Sequence, residues 1–143
     1  MRKRWTLMYG IVRARCAWNA HMREIALSVG IPDSYRPVMM FLHRNPGASQ
    51  KNIAEFLDVT TSAINQVVKG MLAEGYLHKE TDSSDKRSCK LYLTEKGEDL
   101  AHKLREKLHE ADDAITAFVG AEREKELMDF LHQLTEFIQK ELE

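Results

Sequence analysis

The apolar positions of the chain change period twice, and those changes predict its elements. Over residues 5–29 the apolar residues fall on two helical faces, Met8, Tyr9, Val12 and Cys16 on one and Leu7, Ile11, Trp18, Met22 and Ile25 on the other. A helix apolar on two sides is expected to be covered on two sides. Gly30-Ile31-Pro32 ends it, and Asp33 or Ser34 is placed to cap a second helix through Val38, Met39, Phe41 and Leu42, stopped by Asn45-Pro46-Gly47. Ser49 opens a short third helix to about Leu57, Asp58-Val59-Thr60 reads as a tight turn, and a fourth helix runs over 61–74 to Gly75. The period then drops from 3.6 to 2. Residues 76–81 and 89–93 read as two strands around a polar loop, with Cys89, Leu91 and Leu93 inward and Lys90 and Tyr92 outward. Thr94 caps a long fifth helix through Leu100, Leu104, Leu108, Ala111, Ile115 and Phe118, and Gly120 separates it from a sixth carrying Leu127, Phe130, Leu131, Leu134, Ile138 and Leu142. The fold class is therefore α+β, mainly α, with six helices and one hairpin as its only β structure.

The order short helix, tight turn, helix, hairpin is that of a winged helix-turn-helix. At 100° per residue, Val67, Val68 and Met71 lie within about 60° of Ile64, while Ser62, Asn65, Gln66 and Lys69 point elsewhere. Such a polar face, with one charge and no bulky apolar group, suits base edges in a major groove, where Gln or Asn pairs bidentately with adenine. It equally suits plain solvent. The hairpin loop, Asp82-Ser83-Ser84-Asp85-Lys86-Arg87-Ser88, carries two cations that a minor groove would attract.

Here the chain resembles a known family. Asp82-x-x-Asp85-x-Arg87, followed by Leu91-Tyr92-Leu93-Thr94-Glu95-Lys96-Gly97, is similar to the wing and its exit in the multiple-antibiotic-resistance regulator (MarR) family. Thr60-Thr61-Ser62-Ala63-Ile64-Asn65 and Leu72-Ala73-Glu74-Gly75-Tyr76-Leu77 resemble that family's recognition helix and its end. The resemblance implies one domain over 1–143, with 33–94 as the winged helix-turn-helix and 1–30 and 95–143 as dimerisation helices. It implies a homodimeric transcriptional regulator, a repressor tuned by a small molecule, on a pseudo-palindromic double-stranded operator. Ser62, Asn65, Gln66 and Lys69 become the candidate major-groove contacts, Lys86 or Arg87 the candidate minor-groove contact, and Ser49, Gln50, Thr60 and Thr61 further candidate DNA-binding residues. Asp82 and Asp85 would brace the wing, because phosphates repel carboxylates. Many family members have Arg where this chain has Ser84, a departure that bears on one of the usual wing contacts or braces.

Composition adds direction. The formal charge of -1 over 143 residues divides into +6 for residues 1–48, zero for 49–93 and -7 for 94–143, a basic front and an acidic tail. Neither a membrane span nor a secretory signal is legible, because Arg13, Arg15 and Arg23 interrupt the early apolar positions. Two cysteines are too few for a disulfide scaffold, so a reduced cytoplasmic protein is expected.

Other chemistry reads weakly. Cys16 and His21 diverge by about 140° on a helix, so they form no nucleophile–base pair, and no enzyme is expected. His102 and His109 stand about 10 Å apart along one helix, and no two histidines are spaced i, i+4. No metal or cofactor is therefore expected. Cys16 leaves thiol redox sensing as an alternative, although its apolar helix face predicts a buried, inert thiol. A winged helix that binds protein is the alternative from another class. Arg15, Trp18, His21 and Met22 with Tyr35, Met39 and Met40 mix aromatic, pliable and polar groups, and form a candidate crevice for an aromatic acid or phenol.

Overall fold

The computed structural model describes residues 6–81 and 89–142. The wing-loop residues Asp82, Asp85, Lys86 and Arg87 lie outside the described residues. The helices are α1 (Leu7–Ser28), α2 (Tyr35–Arg44), α3 (Gln50–Leu57), α4 (Thr61–Ala73), α5 (Glu95–Val119) and α6 (Ala121–Glu141), and the strands are β1 (Leu77–Thr81) and β2 (Cys89–Leu93). The expected order holds throughout. The chain divides into two compact units, Met1–Glu106 and Lys107–Glu143.

In the first unit, α3 and α4 start where their caps dictate. The Ser49 hydroxyl accepts from the Asn52 amide at 3.2 Å and the Asn52 side chain accepts from the Ser49 amide at 3.0 Å, a reciprocal capping box. Thr60 Oγ1 accepts from the Ala63 amide at 3.1 Å. Between the two helices Asp58 takes the left-handed conformation (φ 52°), which reverses the chain within three residues. The start of α2 corrects the sequence reading. Ser34 occupies the cap position without a side-chain cap bond, and Asp33 instead pairs with Arg36 at 2.8 Å.

The core of this unit is built from Met22, Ile25 and Ala26 of α1, Val38, Met39 and Leu42 of α2, Ile53 of α3, Ile64, Val68 and Met71 of α4, Leu91 of β2, and Leu100 and Leu104 of α5. Only the end of α1 takes part. Leu7, Met8 and Val12 are exposed, and so is Cys16, against the expectation of a buried thiol.

The strands pair antiparallel with Leu77 opposite Leu93 and Thr81 opposite Cys89. The hairpin is not the only β pairing. Ala48 bridges Leu91 on the other edge of β2, through Gly47 N–H to the Leu91 carbonyl at 2.9 Å and Leu91 N–H to the Ala48 carbonyl at 3.0 Å. Tyr92, expected outward, is half-buried, its hydroxyl beside Gly47 and its ring stacked on His78 with centroids 5.4 Å apart. Alternation fixed the face, but neighbours on that face cover it.

In the second unit the end of α5 and α6 meet at Gly120 (φ 85°), and Thr116 Oγ1 donates to Glu124 at 3.1 Å. No described residue of α6 is buried, although Phe130, Leu131, Phe137 and Ile138 lie on it. No described helix is long and apolar enough to cross a membrane.

Candidate nucleic-acid interface

The fold settles which side of α4 is available. Ile64, Val68 and Met71 are at most 3% exposed, whereas Thr61, Ser62, Gln66 and Lys69 are exposed and Asn65 is half-buried. Ser62, Asn65, Gln66 and Lys69 thus share one accessible polar surface, as their helical angles required. Thr60 and Ser49 spend hydroxyl capacity on the two helix caps, so each positions its helix start whatever else it touches. Gln50 is half-buried in the first turn of α3.

The C-terminal end of α4 is held from outside the helix. At its C-terminus the Tyr35 hydroxyl donates to Glu74 at 2.7 Å, and Gly70 leaves the room in which the Tyr35 ring end lies against α4. That hydrogen bond, together with burial and the negative charge of Glu74, pushes the Tyr35 pKa up to about 12. Beyond Glu74 the chain turns at Gly75 (φ 77°) and is pinned to the start of α5. Thr94 Oγ1 donates to the Gly75 carbonyl at 2.6 Å, Lys96 donates to the Glu74 carbonyl at 2.7 Å, and the Lys96 ammonium sits 4.4 Å from the Tyr76 ring centroid. The orientation of α4 is thereby tied to the helix that follows the hairpin. Sequence reading assigned Thr94 its cap, which accepts from the Gly97 amide at 3.1 Å, but not this second bond.

Residues 29–88 match the sequence profile of the MarR family. An HTH-type transcriptional regulator of Clostridium symbiosum (strain WAL-14163), BilQ, is 28% identical over 96 residues, which are 67% of this chain and 67% of that protein. The winged segment of this chain is similar to the MarR family. Two solved structures share its fold over nearly full length. The transcriptional repressor CouR, bound to a 23-mer DNA duplex, is 22% identical with a TM-score of 0.80, covering 91% of this chain and 92% of that one. NadR in complex with 4-hydroxyphenylacetate is 25% identical with a TM-score of 0.75, covering 94% and 95%. The chain shares the winged-helix fold of these proteins, and the relatives it matches are named as transcriptional regulators.

The residues of the expected crevice are redistributed. Met22 and Met39 are at most 1% exposed and Tyr35 is committed to Glu74, so these three serve the core. Arg15 and His21 are exposed, and Trp18 and Met40 half-buried. A cleft of about 450 Å³ opens elsewhere, lined by Val29, Tyr76, Glu95, Lys96, Asp99, Leu100 and Lys103.

One constellation escaped the sequence reading. His43 Nδ1 and Glu98 Oε2 lie 2.6 Å apart, and His102 joins them, with candidate donor atoms of all three within 4.8 Å of one another. Spacing between histidines alone does not reveal it, since no two are i, i+4. Glu98 and His102 are spaced i, i+4, and that half of the signal was legible; the approach of His43 from α2 is tertiary.

Proposed function

We propose that the protein is a cytoplasmic, homodimeric repressor that places α4 of each subunit in successive major grooves of a pseudo-palindromic operator. The observation that carries this reading is the division of α4 into a buried apolar face and an accessible face of Ser62, Asn65, Gln66 and Lys69. Asn65 and Gln66 would read base edges, Lys69 would meet phosphate, and Thr61 and Gln50 would fix the helix start against the backbone. Lys86 and Arg87 would enter the flanking minor groove, with Asp82 and Asp85 bracing the loop. The repressor CouR, captured on a DNA duplex in the same fold, supports the geometry.

Exposed apolar surface supports the dimer. No described residue of α6 is buried, Phe118 at the end of α5 is 89% exposed, and Leu7 of α1 is 58% exposed. Apolar helix faces of that kind mark an association surface, and a second copy of the chain is the occupant that two-fold operator recognition requires. A small aromatic acid or phenol would act as effector at Arg15, Trp18, His21 and Met40. The complex of NadR with 4-hydroxyphenylacetate supports that ligand class.

Footprinting on the DNA flanking the protein's own gene tests the whole reading. Protection of two half-sites whose centres are about 34–36 Å apart is expected. A single protected half-site, or uniform protection of any duplex, would contradict it.

A further inference from the structure

We propose that His43, Glu98 and His102 form a binding site for one zinc-class divalent transition-metal ion per chain. The three side chains come from the last turn of α2 and the first two turns of α5, both within one compact unit. Their donor atoms already lie within 4.8 Å of one another. Two nitrogens and an oxygen held about 2.0–2.2 Å from a tetrahedral ion would sit about 3.3 Å apart, so the site closes by side-chain rotation alone.

Most of that arrangement is in place beforehand. The 2.6 Å contact fixes His43 against Glu98, and the His43 side chain is only 14% exposed. The His43 and His102 rings meet edge to face with centroids 5.0 Å apart. His102 is exposed and free to turn its ring toward the pair, so little ordering cost remains. Two imidazoles with one carboxylate favour zinc, cobalt, nickel or copper, whereas magnesium and calcium favour oxygen ligands. Three protein ligands leave the fourth position of a tetrahedral ion to water. An ion here would cross-link α2, which holds the end of α4 through Tyr35, to the helix that leaves the hairpin.

The proposal concerns metal binding and stands independently of the DNA reading. Its test is titration of the full-length, chelator-stripped protein with Zn²⁺ by calorimetry and with Co²⁺ by visible absorption. One ion per chain and a four-coordinate Co²⁺ spectrum are expected. His102→Gln and Glu98→Gln should each weaken binding at least about tenfold with unchanged circular dichroism, because each removes one ligand. His132→Gln and Cys16→Ser should bind like the wild type, and millimolar Mg²⁺ or Ca²⁺ should not compete. Wild-type affinity in both His102→Gln and Glu98→Gln would overturn the site, as would loss of binding in Cys16→Ser or displacement of zinc by Mg²⁺.

Discussion

Tyr35, at the first position of α2, donates its phenolic hydrogen to the carboxylate of Glu74, 39 residues further along and one residue beyond the end of α4. The bond clips the polar-faced helix to the element beneath it. A hydrogen bond to a charged acceptor contributes about 1.5–3 kcal/mol when shielded. Glu74 is exposed, so screening brings the figure toward about 1 kcal/mol.

Tyr35→Phe should therefore lose about 1 kcal/mol at neutral pH, measured by denaturant unfolding. The pKa of Tyr35 rises from 10.0 to about 12 on folding, so the folded state holds this proton more tightly than the unfolded chain. The contribution is complete below about pH 10 and is lost as pH rises through about 12. The gap between wild type and Tyr35→Phe should close across that window. A gap that stays constant would show that the hydroxyl stabilises by some other route.

Gly97 is the second tight joint. A Cβ there would collide with the backbone carbonyl oxygen of Tyr76, which cannot swing aside as a side chain could, and would press on Leu93. Gly97→Ala should cost about 1–3 kcal/mol by overpacking, despite the better helix propensity of alanine. Calorimetric melting would read this as a lowered Tm. An unchanged or raised Tm would mean that α5 leaves the hairpin less tightly than its contacts with Tyr76 imply.

For the wing, Arg87→Ala and Lys86→Ala should each weaken DNA binding without lowering Tm. Each should also reduce the slope of log K against log salt by roughly one contact's worth of released counterions. Unchanged slopes in both variants would remove the wing from the interface.

The effector reading makes a reciprocal claim. If an aromatic acid weakens operator affinity, saturating operator must weaken binding of that acid by the same factor. Calorimetry with and without operator measures this directly. Equal affinity in the two titrations would leave the protein a DNA binder without this switch.

What was legible in the sequence was local. Helix starts at Ser49 and Thr94, stops at Gly75 and Gly120, and the change from helical to strand period placed the helices and both strands in order, whereas the cap at Thr60 was read only as part of a turn. The face of α4 was legible too, because Ile64, Val68 and Met71 recur at the helical period. Joints between distant elements were not legible. Tyr35 with Glu74, Lys96 with the Glu74 carbonyl, and His43 with Glu98 and His102 each depend on a packing angle that no local pattern encodes. Ser34 and Cys16 failed for related reasons. Capping residues compete, and Asp33 reached Arg36 instead; an apolar helix stripe shows that a face wants cover without showing that the same chain supplies it.

The central claim, that the accessible face of α4 reads base edges, is tested most directly by relative affinity. Wild type, Gln66→Ala and Asn65→Ala should be titrated against the footprinted operator, its single-base variants and a random duplex at one fixed salt concentration. Loss of a base-reading side chain should remove about 1–3 kcal/mol of discrimination at one operator position while leaving random-duplex binding nearly unchanged. An equal loss on operator and random DNA would mean that Gln66 and Asn65 touch only backbone, and would contradict the claim.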